Sequence, residues 1–327
     1  MLVLVQDRPA DRHVVRREPE RAGVELQQID ADSARRRVRV RDVAEGDHLP
    51  ASAEVRLGAS GDPEQNQHHD RATSHEHPPA KYTSGVDLEL TEKCVLLIGA
   101  GRGLGGAAAL AIAREGARVA VVARTRADVE ARAIECRAAG ARQALPIAAD
   151  ATDGAQLDAA IEETASKLGG LDAVVTLVGG SLPGGTAELS DADWRSAYDR
   201  NLWPAIRASR SALPHLEKSA AKRGFPPAAR EASVIVHVAS IYGREGGGAL
   251  SYNTAKAALI ALAHEQAHEL AARGVRVVSV APGSIVHPGG SWERRQKADP
   301  SGIAAFVQRE IPFGRFGTAE EVGEVIA

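Results

Sequence analysis

Aromatic residues are scarce in this chain, 3% of 327 residues, and none of them lies before Tyr82. Cysteine is scarcer still. Cys94 and Cys136 are the only two, too few for a disulfide framework, which fits a reducing, cytoplasmic setting. No apolar run reaches the roughly 18 residues a membrane-spanning helix needs. The opening Met-Leu-Val-Leu-Val is cut short by Asp7 and Arg8, before the apolar core of a signal peptide is complete. An excess of one charge sign is also missing. The formal net charge of −3 supplies no basic field for nucleic acid or an anionic membrane. No Gly-Lys-Ser/Thr follows a glycine-rich turn, so a nucleoside triphosphatase loop is excluded.

Residues 1–84 are dominated by Arg, Asp, Glu and His, without a helical or strand period. Such a segment buries too little apolar area to offset its ordering entropy, so it reads as a disordered extension. His68, His69, His75 and His77 are metal-ligand types, and Arg35, Arg36 and Arg37 form a basic triplet flanked by Asp30, Asp32 and Asp42. A solvated tail is the preferred reading of both clusters, and no metal site is expected. Upstream sequence attached by a wrong start is a further reading of this stretch.

From residue 85 to 327 the pattern is that of one domain, and a hydrophobic content of 44% supports a sizeable core. Apolar, β-branched runs at 94–98, 118–123, 144–148, 173–178, 233–239 and 275–280 read as strands. Helical patterns at 104–114, 126–139, 156–168, 191–216 and 250–272 separate them, with Pro204 expected to kink the long fourth one. Continuous apolar strands alternating with helices predict an α/β fold, a doubly wound parallel sheet in three α/β/α layers. The connection at 218–231, centred on Pro226-Pro227, is longer than such units usually have.

The first strand leads into Gly99-Ala100-Gly101-Arg102-Gly103-Leu104-Gly105. A glycine turn between strand and helix lets the backbone approach a pyrophosphate, while the helix N-terminus offers unpaired N–H groups. This marks a Rossmann-type dinucleotide site. An acidic residue at the end of strand two would accept from the ribose 2′-hydroxyl of NAD. Ala123 stands there, followed by Arg124, and Arg102 lies in the glycine turn. Two guanidiniums and no carboxylate suit a 2′-phosphate, so NADP(H) is favoured and NAD(H) is the alternative.

The strongest catalytic signal is Tyr252-Asn253-Thr254-Ala255-Lys256. A spacing of four on a helix puts phenol and amine on one face. Free phenol has a pKa near 10, too high for efficient proton exchange at neutral pH. An ammonium about 5 Å away at an effective dielectric of about 20 contributes about 3 kcal/mol, which would lower the phenol's pKa by about 2. Ser240 closes the fifth strand, at the carboxyl edge that faces the ligand crevice in such sheets.

The glycine spacing, Asn201, Ser240, Tyr252 and Lys256, in order and each on its expected element, resemble the short-chain dehydrogenase/reductase family from residue 88 to 327. The resemblance implies hydride transfer between a nicotinamide and a small-molecule carbonyl or secondary alcohol. It makes Tyr252 the acid/base and Ser240 the hydroxyl that holds the carbonyl oxygen. Lys256 would also bind the nicotinamide ribose, and Asn201 would hold a water linking Lys256 to solvent. Asp150 takes the adenine-contacting position, Gly179 leaves room for the cofactor, and Pro282-Gly283 lies by the nicotinamide. Ile98 replaces the usual Thr before the first glycine, and Thr176-Leu177-Val178-Gly179 replaces the usual Asn-Asn-Ala-Gly.

Tyr242, residues 181–185, and the loop after Gly283 through Trp292 and on to Ile311 are expected to line the substrate pocket, with no charged cluster announcing an acid, a phosphate or a carrier protein. A 3-oxoacyl carrier-protein reductase would rest on overall resemblance alone. The family pattern also leads to an expectation that the last helix and the last strand are missing, leaving strand six as an unpaired edge. A homodimer or homotetramer is implied for a complete domain. The competing reading is a non-catalytic dinucleotide-binding or defective fragment.

Overall fold

The computed structural model describes residues 87–225 and 232–327. The extension expected at 1–84, with its His and Arg clusters, and the Pro226-Pro227 pair lie outside the described residues. The elements run β1 (Cys94–Ile98), α1 (Gly103–Arg114), β2 (Arg118–Ala123), α2 (Arg126–Ala139), β3 (Gln143–Ala148), α3 (Gly154–Leu168) and β4 (Ala173–Thr176). They continue with α4 (Asp191–Asn201), α5 (Trp203–Lys222), β5 (Ser233–Val238), α6 (Leu250–Leu270) and β6 (Val275–Val280). Last come β7 (Ile285–Val286), α7 (Ser291–Ala298), α8 (Pro300–Glu310), β8 (Gly317–Thr318) and α9 (Ala319–Ile326).

Six parallel strands form one sheet in the order β3-β2-β1-β4-β5-β6. The order reverses direction between β1 and β4, the point where an open α/β sheet parts its connections and leaves a crevice. The physical basis is plain along β1. Leu96 and Ile98 pack on one side with Ile161, Leu216 and Ala263, while Val95 and Leu97 pack on the other with Ile112, Val129 and Val322. Both faces are therefore covered, which is why β1 reads as an uninterrupted apolar run. Leu96, Leu97 and Ile98 are fully buried, each stabilising the fold by about 1.5–3 kcal/mol.

Two expectations are corrected. The long fourth helix is two helices, broken at Leu202, which leaves helical geometry at φ −122°, ψ −50°. Pro204 sits in the first turn of α5, where its missing N–H costs nothing; inside one continuous helix its ring would meet the carbonyl of Arg200. The break makes Asn201 the last residue of α4. The last helix is also present, as α9. It opens with a capping box between Thr318 and Glu321 and buries Val322 and Ile326 on the α1 side of the sheet. A parallel pair, β7 with β8, ties it back to the segment after β6. Among the described residues β6 pairs only with β5, so it is an edge strand as expected.

Candidate active site

The glycine turn connects β1 to α1. Gly99 has φ +91° and Gly103 φ +56°, a region that disfavours any side chain. A Cβ on Gly105 would lie 2.3 Å from the Gly99 carbonyl oxygen, so helix and turn meet backbone to backbone. Arg102 caps α1 without a side-chain hydrogen bond, leaving the first N–H groups of the helix for a ligand. Two adjoining cavities meet here and share Gly99, Arg102 and Gly179. One, of about 630 Å³, reaches past Ala123 and Arg124 to Asp150. The other, of about 470 Å³, reaches past Leu104, Pro282 and Gly283 to Ser240, Tyr252 and Lys256. The bare glycine cradle and the crevice either side of it fit an elongated dinucleotide whose pyrophosphate crosses the turn.

Arg102 does not stand free at this turn. Its guanidinium pairs with Asp128 of α2 at 3.1 Å, and that carboxylate also lines the adenosine-side cavity. Asp128 lies beyond the end of strand two, where an acidic residue was sought, and the fold brings it back over Gly101. Arg124 is exposed and makes no ion pair among the described residues.

At the other end, Ser240 follows β5 and caps a short turn over Ile241–Gly243, its Oγ accepting from the Tyr242 N–H at 3.2 Å. Tyr252 and Lys256 occupy the first two turns of α6. The Lys256 Nζ sits 5.7 Å from the centre of the Tyr252 ring and donates to the backbone oxygens of Val238 (3.0 Å) and Val178 (3.5 Å). Burial pulls the Lys256 ammonium down from 10.5 to about 8. Burial also raises the Tyr252 phenol, opposed by a hydrogen bond with Ser240. The expected lowering of the phenol by the lysine is thus reversed. The amine is turned toward two carbonyls, and removal of the phenol from water dominates its proton affinity.

Asn201 stands behind the crevice wall and is buried. Its Nδ2 donates to the oxygens of Gly180 (2.9 Å) and Ala197 (2.8 Å), and its Oδ1 accepts from the Gly180 N–H at 3.0 Å. The side chain therefore pins the loop that follows β4. A Cβ on Gly179 would come within 2.8 Å of the Asn201 Oδ1 and 3.2 Å of the Lys256 Nζ, so any side chain there would push one of these groups aside. Within the stretch after Gly283 expected to line the substrate pocket, residues that no motif singled out also reach the catalytic cavity. His287 lies over Gly103, and Arg294 and Arg295 project from α7. Tyr242, Ser181 and Trp292 line it as expected. Among the described residues no cluster of His, Cys, Asp and Glu has the makings of a metal site, and no helix is long and apolar enough to cross a membrane.

A parallel sheet with its crevice at the topological reversal, a glycine cradle and a half-buried phenol beside a buried amine define a dinucleotide-dependent oxidoreductase. The short chain dehydrogenase family model matches residues 93–298, and the chain belongs to that family. Its relatives include the short-chain reductase NovJ of Streptomyces niveus, 29% identical over 76% of this chain and 90% of the relative. The 3-oxoacyl-[acyl-carrier-protein] reductase FabG of Staphylococcus aureus is 29% identical over 72% of this chain and 89% of its own length. Among solved structures, a 7α-hydroxysteroid dehydrogenase complexed with NADH and 7-oxo glycochenodeoxycholic acid superposes with a TM-score of 0.64. It is 26% identical, covering 72% of this chain and 86% of that one. The family places the protein among the NAD(P)-dependent enzymes that interconvert CH–OH and C=O groups.

Proposed function

We propose that the protein is an NADP(H)-dependent carbonyl reductase or alcohol dehydrogenase in which Tyr252 moves the proton. The observation that carries this reading is the convergence of Ser240, Tyr252 and Lys256 on one cavity that opens onto the glycine cradle. The bound nicotinamide supplies or accepts the hydride. In the reductive direction Tyr252 donates its phenolic proton to the carbonyl oxygen, and Ser240 holds that oxygen by a second hydrogen bond. Lys256, anchored on the Val238 and Val178 carbonyls, presents its remaining donor capacity to the cofactor's ribose. Its positive charge also favours the phenolate left after proton transfer. Asn201 acts as a positioning residue, holding Gly180 so that Gly179 stays against Lys256.

NADP(H) is assigned over NAD(H) on the adenosine side, where Pro282, Gly283 and the catalytic groups have no say. With Arg102 paired to Asp128, Arg124 at the end of strand two is the cation assigned to a 2′-phosphate, and Arg200 lines the same cavity. Asp150 lines the same cavity and is assigned to the adenine. A homodimer or homotetramer in the cytoplasm completes the proposal. The two unpaired, buried cysteines suit that compartment.

The test is Tyr252→Phe, assayed by NADPH oxidation against a panel of ketones and aldehydes. Loss of the acid is expected to lower kcat by about 10²–10⁴-fold, with NADPH binding retained in a fluorescence titration. Full turnover by the variant would refute the mechanism.

A further inference from the structure

The catalytic cavity is lined by five basic side chains, Arg102, Lys256, His287, Arg294 and Arg295, and by no Asp or Glu. Four of them have partners within the protein. Arg102 pairs with Asp128, and Lys256 donates to Val238 and Val178. His287 meets the Pro288 oxygen at 3.1 Å, and Arg294 donates to the Gly289 oxygen. Among the described residues Arg295 alone of the five has no hydrogen-bond or ion-pair partner. Its guanidinium lies over the Trp292 ring, 5.0 Å from the centroid. Trp292 is itself wedged against Phe306 and Phe316, with ring centroids at 4.8 and 5.0 Å. The stacked platform holds the guanidinium in place and leaves its N–H edge unoccupied.

Arg295 shares its cavity with Ser240 and Tyr252. His287 lies over Gly103, Gly290 packs on His287, and the Arg294 side chain folds back to the Gly289 oxygen. Arg295 and Tyr242 line the same cavity, and burial raises the Tyr242 phenol while the guanidinium draws it down. Tyr242 in turn neighbours Tyr252. The carboxylates that also face Tyr242, Glu245 and Glu310, lie outside the cavity lining, and Glu310 is held by Arg309 at 2.6 Å. A cation with a free planar donor edge, in a cavity without carboxylates and one tyrosine away from the acid/base, is an anion receptor.

We propose that the substrate is an oxo acid, or the corresponding hydroxy acid, whose carboxylate is received by Arg295 while its carbonyl meets Tyr252 and Ser240. The proposal rests on the carbonyl-reduction reading above and names its substrate class.

Matched pairs of an oxo acid and its neutral primary amide test it, in the wild type, Arg295→Gln and Arg295→Lys. The wild type should favour the acid in kcat/KM by about 10-fold or more, the scale of a hydrogen bond to a charged group. Arg295→Gln should bring that ratio close to one, and Arg295→Lys should keep part of it. Calorimetry with the protein saturated in NADP⁺, which does not reduce the oxo acid, reads binding of acid and amide without turnover. Equal turnover of acid and amide by the wild type overturns the proposal and leaves carbonyl reduction standing. Preferential binding of the acid without turnover of any carbonyl overturns carbonyl reduction and leaves the anion receptor standing. Neither turnover nor preferential binding overturns both. A rise in the NADPH Kd of Arg295→Gln that matches its loss on the acid also overturns the proposal, because it assigns Arg295 to the cofactor.

Discussion

Lys256 is buried as an ammonium with two carbonyl oxygens and no carboxylate for company, and that arrangement has a measurable cost. Its pKa falls from 10.5 in the unfolded chain to about 8 in the native one. At one pKa unit per about 1.4 kcal/mol, keeping the amine charged inside the fold costs about 3 kcal/mol at pH 7. The sign follows from proton counting. Between pH 8 and 10.5 the unfolded state binds more protons than the native state, so Lys256 makes the protein more stable as pH rises through that window. The contribution is complete above 10.5 and is lost as pH falls through 8. Two other groups act in the opposite sense higher up. Burial raises the Cys94 and Cys136 thiols from 9.0 to about 11, which removes stability above pH 9. The comparison that isolates the lysine is therefore the wild type against Lys256→Met, by urea unfolding at pH 7, 8 and 9. The thiols are common to both proteins and cancel in the difference, while any offset from lost hydrogen bonds to Val238 and Val178 is constant and drops out of its change with pH. The wild type should gain about 1 kcal/mol on the variant between pH 7 and 9. A difference that stays flat with pH would refute the reasoning, because it would mean that Lys256 keeps an ordinary proton affinity through water or a carboxylate at its Nζ.

Two further outcomes follow from the cofactor half of the crevice. Arg124→Ala removes the exposed cation beside Asp150, and the ratio of NADPH to NADH affinity should fall by about 10-fold, read by fluorescence titration of each cofactor; an unchanged ratio would take Arg124 out of cofactor choice. Gly105→Ala places a Cβ against the Gly99 oxygen and 2.7 Å from the Ala100 Cα, both backbone atoms that move only if the turn opens. Melting should show a loss of about 1–3 kcal/mol together with a smaller stabilisation by added NADPH, and a variant matching the wild type on both counts would contradict the close-packed turn.

Much of the fold was legible because the strands carry their burial in their own residues. β1 is apolar throughout, β2 and β6 are mostly so, and the structure keeps the expected limits for all three. The long helix was misread because Pro204 tolerates two outcomes, a kink or a new first turn, and the choice depends on what α4 and α5 pack against. The absence expected for the last helix failed for a related reason. α9 is only eight residues long, so its helicity comes from Val322 and Ile326 docking on the sheet rather than from local propensity. Asp128 escaped notice because a search for an acid at the end of strand two looks along the chain, while its carboxylate reaches Arg102 across the turn between β2 and α2.

The linear order of residues was enough to establish a glycine turn between strand and helix, a phenol and an amine one helical turn apart, and a serine at a strand end, since each is set by spacing within one element. Proton affinities and charge pairing were decided by the folded molecule. Whether Tyr252 rises or falls depends on the water excluded around it, and whether Lys256 faces that phenol or the Val178 and Val238 carbonyls depends on strands far away in the chain. The same holds for Arg295, whose freedom is defined by partners that other arginines found and it did not. Burial and through-space distance set those energies, and neither is a property of sequence position.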